Sequence, residues 1–212
     1  MNFLVRKGTS LKGDINIPGD KSMSHRAIML ASLSEGRCQI SGLLEGEDCL
    51  ATIDVFRKMG VNISSSDGNY LIEGNGLKGL KQPNESLDFG NSGTSIRLCS
   101  GVLSAQSFAT TLLGDESLSL RPMQRIVEPL TLMGAKILPS QDGTLPLTIL
   151  PTDSLQSIEY TLPVASAQVK SCIMFAGLFA KGETKITEEV VTRNHTETMF
   201  NAFGIPVETS TS

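Results

Sequence analysis

No apolar run in the 212-residue sequence approaches the length of a transmembrane helix, and the opening Met1-Asn2-Phe3-Leu4-Val5-Arg6-Lys7 lacks the sustained hydrophobic stretch of a signal peptide. A cytoplasmic protein is expected. There is no excess of one charge: 18 basic against 22 acidic residues leave a net charge of −4, so the bulk charge recruits neither nucleic acid nor a membrane surface. Any affinity for anions must be local. Cysteine is sparse as well. Cys38, Cys49, Cys99 and Cys172 are scattered without a CxxC pair or a histidine at ligand spacing, which argues against zinc, redox and disulfide roles. They are expected to be small buried hydrophobes, and neither a metal nor a cofactor is expected.

What is present is enough apolar residue, 40% of the chain, to bury a core in one large domain or two small ones. A weak internal repeat organises it. Three helix-ending signatures recur, Lys58-Met59-Gly60-Val61-Asn62-Ile63, Leu132-Met133-Gly134-Ala135-Lys136-Ile137 and Ala202-Phe203-Gly204-Ile205-Pro206-Val207, with their glycines 74 and 70 residues apart. Each glycine suits a left-handed position after a helix. Three opening signatures line up too, Ser24-His25-Arg26-Ala27-Ile28, Ser95-Ile96-Arg97-Leu98-Cys99 and Gln168-Val169-Lys170-Ser171-Cys172, their basic residues 71 and 73 apart.

Segments such as 27–33 and 173–180 are apolar nearly all round, which predicts buried helices. The second helix of each copy is amphipathic, with Leu50, Ile53, Phe56 and Met59 forming one stripe in the first. Pro129 should kink or shorten its counterpart in the second copy. Strands are expected at 39–41, 108–112 and 185–187, after each of the three glycines, and at 70–72 and 147–149. The chain then stops after Val207 in mid-unit, which reads as a truncated third copy.

The starts of the buried helices are small, polar and partly basic: Gly19-Asp20-Lys21-Ser22-Met23-Ser24, Gly90-Asn91-Ser92-Gly93-Thr94-Ser95 and Ala165-Ser166-Ala167-Gln168. Free N–H groups and the positive end of the helix dipole attract anions there, and a repeat would bring three such ends to one spot. Lys21 offers a point charge, and Arg26 a fork for a carboxylate. Taken singly, the same residues are helix caps. Arg121 and Arg125, near the start of a surface helix, answer either to a bound anion or to solvent. In Arg193-Asn194-His195-Thr196-Glu197, His195 and Glu197 point to different sides and form neither a zinc pair nor a dyad. His25 reads as a packed or capping histidine.

Together, Gly19-Asp20-Lys21-Ser22-x-x-His25-Arg26-Ala27, Gly90-Asn91-Ser92-Gly93-Thr94-Ser95-x-Arg97 and Arg121-Pro122-Met123 resemble, in order and spacing, the motifs of the 5-enolpyruvylshikimate-3-phosphate synthase family. Ser166-Ala167-Gln168-Val169-Lys170 and Arg193-Asn194-His195-Thr196-Glu197 are similar to motifs of its class II branch. The resemblance covers essentially the whole chain but only about the first half of a family member. It implies an α/β, inside-out lobe of three βαβαββ repeats (about 19–80, 88–152 and 160–212, the third cut short) with buried parallel helices and outward-facing sheets. Residues 1–18 would belong with an absent second lobe, leaving edge strands exposed.

The implied reaction moves the enolpyruvyl group of phosphoenolpyruvate to the 5-hydroxyl of shikimate 3-phosphate, through a tetrahedral adduct that loses phosphate. By the same resemblance, Lys21 touches both substrates at the reacting end. Ser22 and Arg26 hold the carboxylate of shikimate 3-phosphate, and Ser166 and Arg193 its phosphate. Ala167 offers backbone, and Gln168 lies against the ring and near phosphoenolpyruvate. Gly93 and Arg121 receive phosphoenolpyruvate, with Asn91 and Thr94 as neighbours. A carboxylate base, further arginines and another lysine come from a complementary C-terminal lobe, so the chain is expected to be inactive alone. Two alternatives stand beside this: a non-catalytic anion-binding fragment, and a transferase acting on UDP-N-acetylglucosamine, which uses a loop cysteine where this chain has none between Gly114 and Pro122.

Overall fold

The computed structural model describes residues 2–8 and 10–210, and these form seven helices and eleven short strands. Met1 and Thr9 of the leading segment, and Thr211 and Ser212 at the end of the third unit, lie outside the described residues. The first stretch runs α1 (Lys21–Leu33), β1 (Glu35–Ser41), α2 (Glu47–Lys58), β2 (Asn62–Ser66) and β3 (Asn69–Asn75). The second runs β4 (Leu87–Asp88), α3 (Gly93–Leu103), β5 (Thr110–Leu113), α4 (Glu116–Ser119), α5 (Gln124–Leu132), β6 (Lys136–Leu138) and β7 (Leu147–Leu150). The last runs β8 (Leu155–Gln156), β9 (Glu159–Thr161), α6 (Ala167–Gly177), β10 (Ala180–Lys181), β11 (Lys185–Thr187) and α7 (His195–Ala202).

The order strand–helix–strand places α3 and α6 each on a parallel crossover, whereas α1 follows no strand among the described residues and packs on an antiparallel sheet. Strand β4 pairs parallel with β5 around α3, and β8 and β9 pair parallel with β10 and β11 around α6. The antiparallel hairpins β2–β3 and β6–β7 complete the first two sheets, in the orders β1-β3-β2 and β4-β5-β7-β6. In the first hairpin Asp67 and Gly68 both take positive φ, the backbone of a tight turn whose twist matches the strands it joins. Alternation along β3 buries Tyr70 and Ile72 and leaves Leu71 more exposed, so that sheet packs one face on the helices and turns the other outward.

The inner helices form the core. Residues 28–33 of α1 are all buried, as are most of α3 and α6. Helices α3 and α6 run parallel and close. Gln168 Nε2 donates to Thr94 Oγ1 at 3.0 Å near their starts, and two turns on a Cβ at Gly101 would overlap the Cys172 carbonyl oxygen. Cys49, Cys99 and Cys172 are buried in this core, whereas Cys38 is only half-buried. The three helix-ending glycines, Gly60, Gly134 and Gly204, all take positive φ, as their positions after α2, α5 and α7 require.

Several expectations need correction. Leu50 is 43% exposed: α2 buries Cys49, Thr52, Ile53, Val55 and Phe56, a face turned away from Leu50. The stretch 205–207 forms no strand, because no neighbouring strand offers it a ladder and Pro206 has no N–H. The one-turn helix α4 is not expected from the sequence pattern. It forms because the Asp115 carboxylate accepts from Leu118 N at 2.7 Å. Pro129 sits inside α5, which is nine residues long against twelve for α2. No helix is long and apolar enough to cross a membrane among the described residues.

Candidate functional site

Each inner helix starts with a side chain that caps it. Asp20 accepts from Met23 N at 2.8 Å, Ser92 from Ser95 N at 3.3 Å and Ser166 from Val169 N at 3.3 Å. The capping role open in the sequence is therefore filled at all three starts, leaving the other first-turn N–H groups unsatisfied by these caps. The starts converge. Gln168 joins α6 to α3 through Thr94 and through Arg97, whose Nη1 donates to Gln168 Oε1 at 3.0 Å. Arg26 joins α1 to α6 and α7, and Asp20 lies 3.7 Å from His195 Nδ1, too far for a hydrogen bond.

Arg26 is 2% exposed, yet its partners are neutral. Its Nε donates to Thr196 Oγ1 at 2.6 Å, Nη2 to Ser171 Oγ at 2.6 Å, and Nη1 to both Ser22 O and Ser22 Oγ at 2.8 and 2.7 Å. Burial, then the charge of Arg193, pushes its pKa down to about 10. With these bonds made, only one guanidinium N–H remains free. A two-pronged grip on a carboxylate, as the residue type suggests, would require Arg26 to release a hydroxyl.

Arg97 and Arg121 repeat the pattern. Arg97 donates to the Gly93 carbonyl at 3.1 Å as well as to Gln168, and burial followed by the charges of Arg121 and Arg125 lowers its pKa. Arg121 donates to Asn91 Oδ1, and Asn91 in turn donates to Asp115 Oδ2 at 2.7 Å. Among the described residues, no carboxylate oxygen lies within ion-pair distance of Arg26, Arg97 or Arg121. Cations that repel one another and rest on neutral acceptors form a site that lacks a negative partner. Gly93 lies against this cluster: a Cβ there would stand 2.8 Å from Arg97 Nη1 and 2.9 Å from Arg121 Nη1.

The remaining candidates lie on or beside the same helix starts. Lys21 is exposed and pairs with Asp48 at 2.9 Å, a contact that solvent makes easy to exchange. Ser22, Ser166, Ala167 and Gln168 are half-buried at their helix starts. Arg193 is exposed, engages no hydrogen bond or ion pair among the described residues, and is near enough to Arg26 to lower its pKa. Arg125 is exposed on α5, where with Tyr160, Val164 and Ser166 it lines a small pocket of about 100 Å³. A larger groove of about 580 Å³ lies elsewhere, against Leu33 at the opposite end of α1.

His25 is fully buried and neutral. Its Nδ1 lies 2.7 Å from Thr52 Oγ1, and burial, only partly offset by Asp48, drops its pKa to about 4. Packing, not base chemistry, is its role here. Arg97, Ser171 and Thr196 hold places in this network that the sequence motifs do not assign them. The matching spacing of Arg26, Arg97 and Lys170 was the available signal for Arg97; the two hydroxyls had none.

Comparison with known proteins shows the family of the chain. The family model for EPSP synthase (3-phosphoshikimate 1-carboxyvinyltransferase) matches residues 5–212. The 3-phosphoshikimate 1-carboxyvinyltransferase of Hydrogenovibrio crunogenus is 54% identical over 209 residues, 98% of this chain and 47% of that protein. That of Alkalilimnicola ehrlichii is 56% identical over 208 residues, again 98% and 47%. The solved structure of EPSP synthase from Acinetobacter baumannii superposes with a TM-score of 0.91 at 53% identity, covering 93% of this chain and 45% of that one. The chain thus spans about half the length of the relatives it matches, and by sequence, fold and motif it belongs to the EPSP synthase family.

Proposed function

We propose that this chain forms the shikimate 3-phosphate-binding half of a 3-phosphoshikimate 1-carboxyvinyltransferase. The observation that carries the reading is a pair of cation groups at the converging helix starts, Arg26 near Arg193 and Arg97 near Arg121, with Arg26, Arg97 and Arg121 resting on neutral acceptors. A substrate bearing both a carboxylate and a phosphate supplies the missing negative charge. In this reading Ser22 and Arg26 take its carboxylate, Ser166 and Arg193 its phosphate, and Gln168 lies against its ring, beside the backbone of Ala167. Phosphoenolpyruvate meets Gly93 and Arg121, with Asn91 and Thr94 beside it and Lys21 between the substrates.

The reaction adds the 5-hydroxyl oxygen to C2 of phosphoenolpyruvate as its methylene carbon takes a proton. Collapse of the adduct then expels phosphate and returns a proton from the methyl group. Both proton transfers need positioned acids and bases and a site closed to water. The complement of this chain, a C-terminal lobe, supplies the rest of that machinery, and turnover requires it. Residues 2–8 and 10–18 carry no strand and expose Phe3, Leu4, Val5, Leu11, Ile15 and Ile17, apolar surface that suits pairing with that lobe. The same reading puts the protein in the cytoplasm, where four free thiols persist.

Titration calorimetry with shikimate 3-phosphate tests the proposal. Binding that is lost in Arg26→Ala and in Arg193→Ala supports a preformed half-site. Absence of heat from the unmodified, folded chain would sink it.

A further inference from the structure

Arg26, Arg97 and Lys170 occupy matching places on the three inner helices, but only the third meets carboxylates. Lys170 is 4% exposed, and its Nζ lies 2.7 Å from Glu188 Oε2 and 2.7 Å from Glu197 Oε1. Thr192 Oγ1 donates to the other oxygen of Glu188. Burial pushes the Glu188 carboxyl up, but bonds from Lys170 and Thr192 outweigh it and hold the group below its ordinary range. One ammonium therefore ties α6 to the residue after β11 and to the first turn of α7.

One residue further along α6 and one residue earlier on α7, a second cross-link runs beside the first. Ser171 Oγ and Thr196 Oγ1 meet at 2.6 Å, and both accept from Arg26. Phe175 packs edge-on against Phe200 along the same seam, with ring centroids 5.3 Å apart. The charged link and the hydroxyl pair that receives the guanidinium thus lie side by side between the same two helices. Arg193 stands in the segment between Glu188 and Glu197, both anchored on Lys170. Exchanging a whole buried ion pair for apolar side chains is often neutral for stability, whereas removing one partner leaves the other charge buried and uncompensated. The ammonium is enclosed and offers no face to a ligand.

We propose that Lys170, held by Glu188 and Glu197, is a positioning residue that fixes the seam between α6 and α7 and thereby aligns Arg26 and Arg193 for the substrate. This rests on the reading of the pocket as a shikimate 3-phosphate site.

The test measures shikimate 3-phosphate affinity by calorimetry, and amide hydrogen exchange across 188–197, in the full chain and in Lys170→Met, Lys170→Arg and Glu197→Gln. Lys170→Met is expected to bind at least about tenfold more weakly and to exchange faster in that segment, while Lys170→Arg, which can still bridge two carboxylates, returns affinity to within about threefold. Should Lys170→Met fail to fold by circular dichroism, Glu197→Gln decides. It conserves volume, leaves Lys170 paired with Glu188, and is expected to weaken binding about threefold or more. Parental affinity in folded Lys170→Met, or in Glu197→Gln, overturns the positioning role and leaves the pocket's function standing. If the unmodified chain does not bind at all, the functional reading fails and the positioning role fails with it.

Discussion

Arg26 and Thr196 lie 170 positions apart in the chain, yet the guanidinium Nε donates to the threonine Oγ1 at 2.6 Å. A buried cation resting on a hydroxyl gains less than one resting on a carboxylate and still bears the cost of desolvation. Removing it therefore costs little in folding. In Arg26→Met the Ser171 hydroxyl retains the Ala167 carbonyl at 2.6 Å and its contact with Thr196. Stability is expected to stay within about 1 kcal/mol of the parent, while affinity for shikimate 3-phosphate falls about a hundredfold. Urea unfolding and calorimetry on one preparation check both halves; a large stability loss at unchanged affinity contradicts them.

The buried imidazole of His25 makes stability depend on pH in a defined direction. Its pKa is about 4 in the folded chain against 6.5 in the unfolded one. Between those values the unfolded state binds the proton and the folded state does not, so stability is full above about 6.5 and declines as the pH falls toward 4. The loss reaches on the order of 3 kcal/mol. Carboxylates titrate mainly below about pH 5, so the drop between pH 6.5 and 5 reports on histidine, and comparison with a His25 variant assigns it. His25→Gln keeps a polar group for Thr52 but takes no proton, and its denaturation midpoint should be flatter across that interval.

Much of this was legible in the sequence, for physical reasons. The inner helices announced themselves by runs apolar on every side, and Gly60, Gly134 and Gly204 marked helix ends because their backbone conformation excludes most side chains. Helix α4 was not legible, since a single turn set by Asp115 has no period to detect. Leu50 misled because several apolar stripes fit α2, and packing against α1 and α3, not spacing, selected the one through Thr52 and Phe56. The cations of the site were readable as residue types. Their ligands Ser171 and Thr196 were not, because a hydroxyl is common and its partner lay far along the chain.

Gly93 separates two guanidinium groups from the backbone by the absence of a methyl. In Gly93→Ala the new Cβ would stand under 3.0 Å from the tips of Arg97 and Arg121. Both tips are ends of flexible side chains and move at little cost, so the fold should survive with a loss near 1 kcal/mol or less. The ligand that uses those tips should not fare as well. Phosphoenolpyruvate and its analogue glyphosate are expected to bind about tenfold more weakly, with shikimate 3-phosphate affinity changed by less than about threefold. Michaelis and inhibition constants of the enzyme reconstituted with its complementary lobe give the comparison, and unchanged values would remove Gly93 from the site.

Gly101 presents the opposite case, where the neighbour cannot move. Helix propensity alone favours alanine over glycine in mid-helix by about 1 kcal/mol. Here, however, a Cβ would run into the Cys172 carbonyl, with Ala176 N 3.2 Å away, and both belong to the backbone of α6. Relief would push α3 and α6 apart, disturbing the Gln168 contacts with Thr94 and Arg97 at their starts. Overpacking of this kind costs about 1–3 kcal/mol and should outweigh the propensity gain, leaving Gly101→Ala less stable than the parent. Affinity for shikimate 3-phosphate should drop with it, since the mutation acts through the spacing of the helices that carry Gln168 and Arg97. Equilibrium unfolding shows which effect wins: a rise in stability would mean that the close approach of the two helices has slack that the geometry does not reveal.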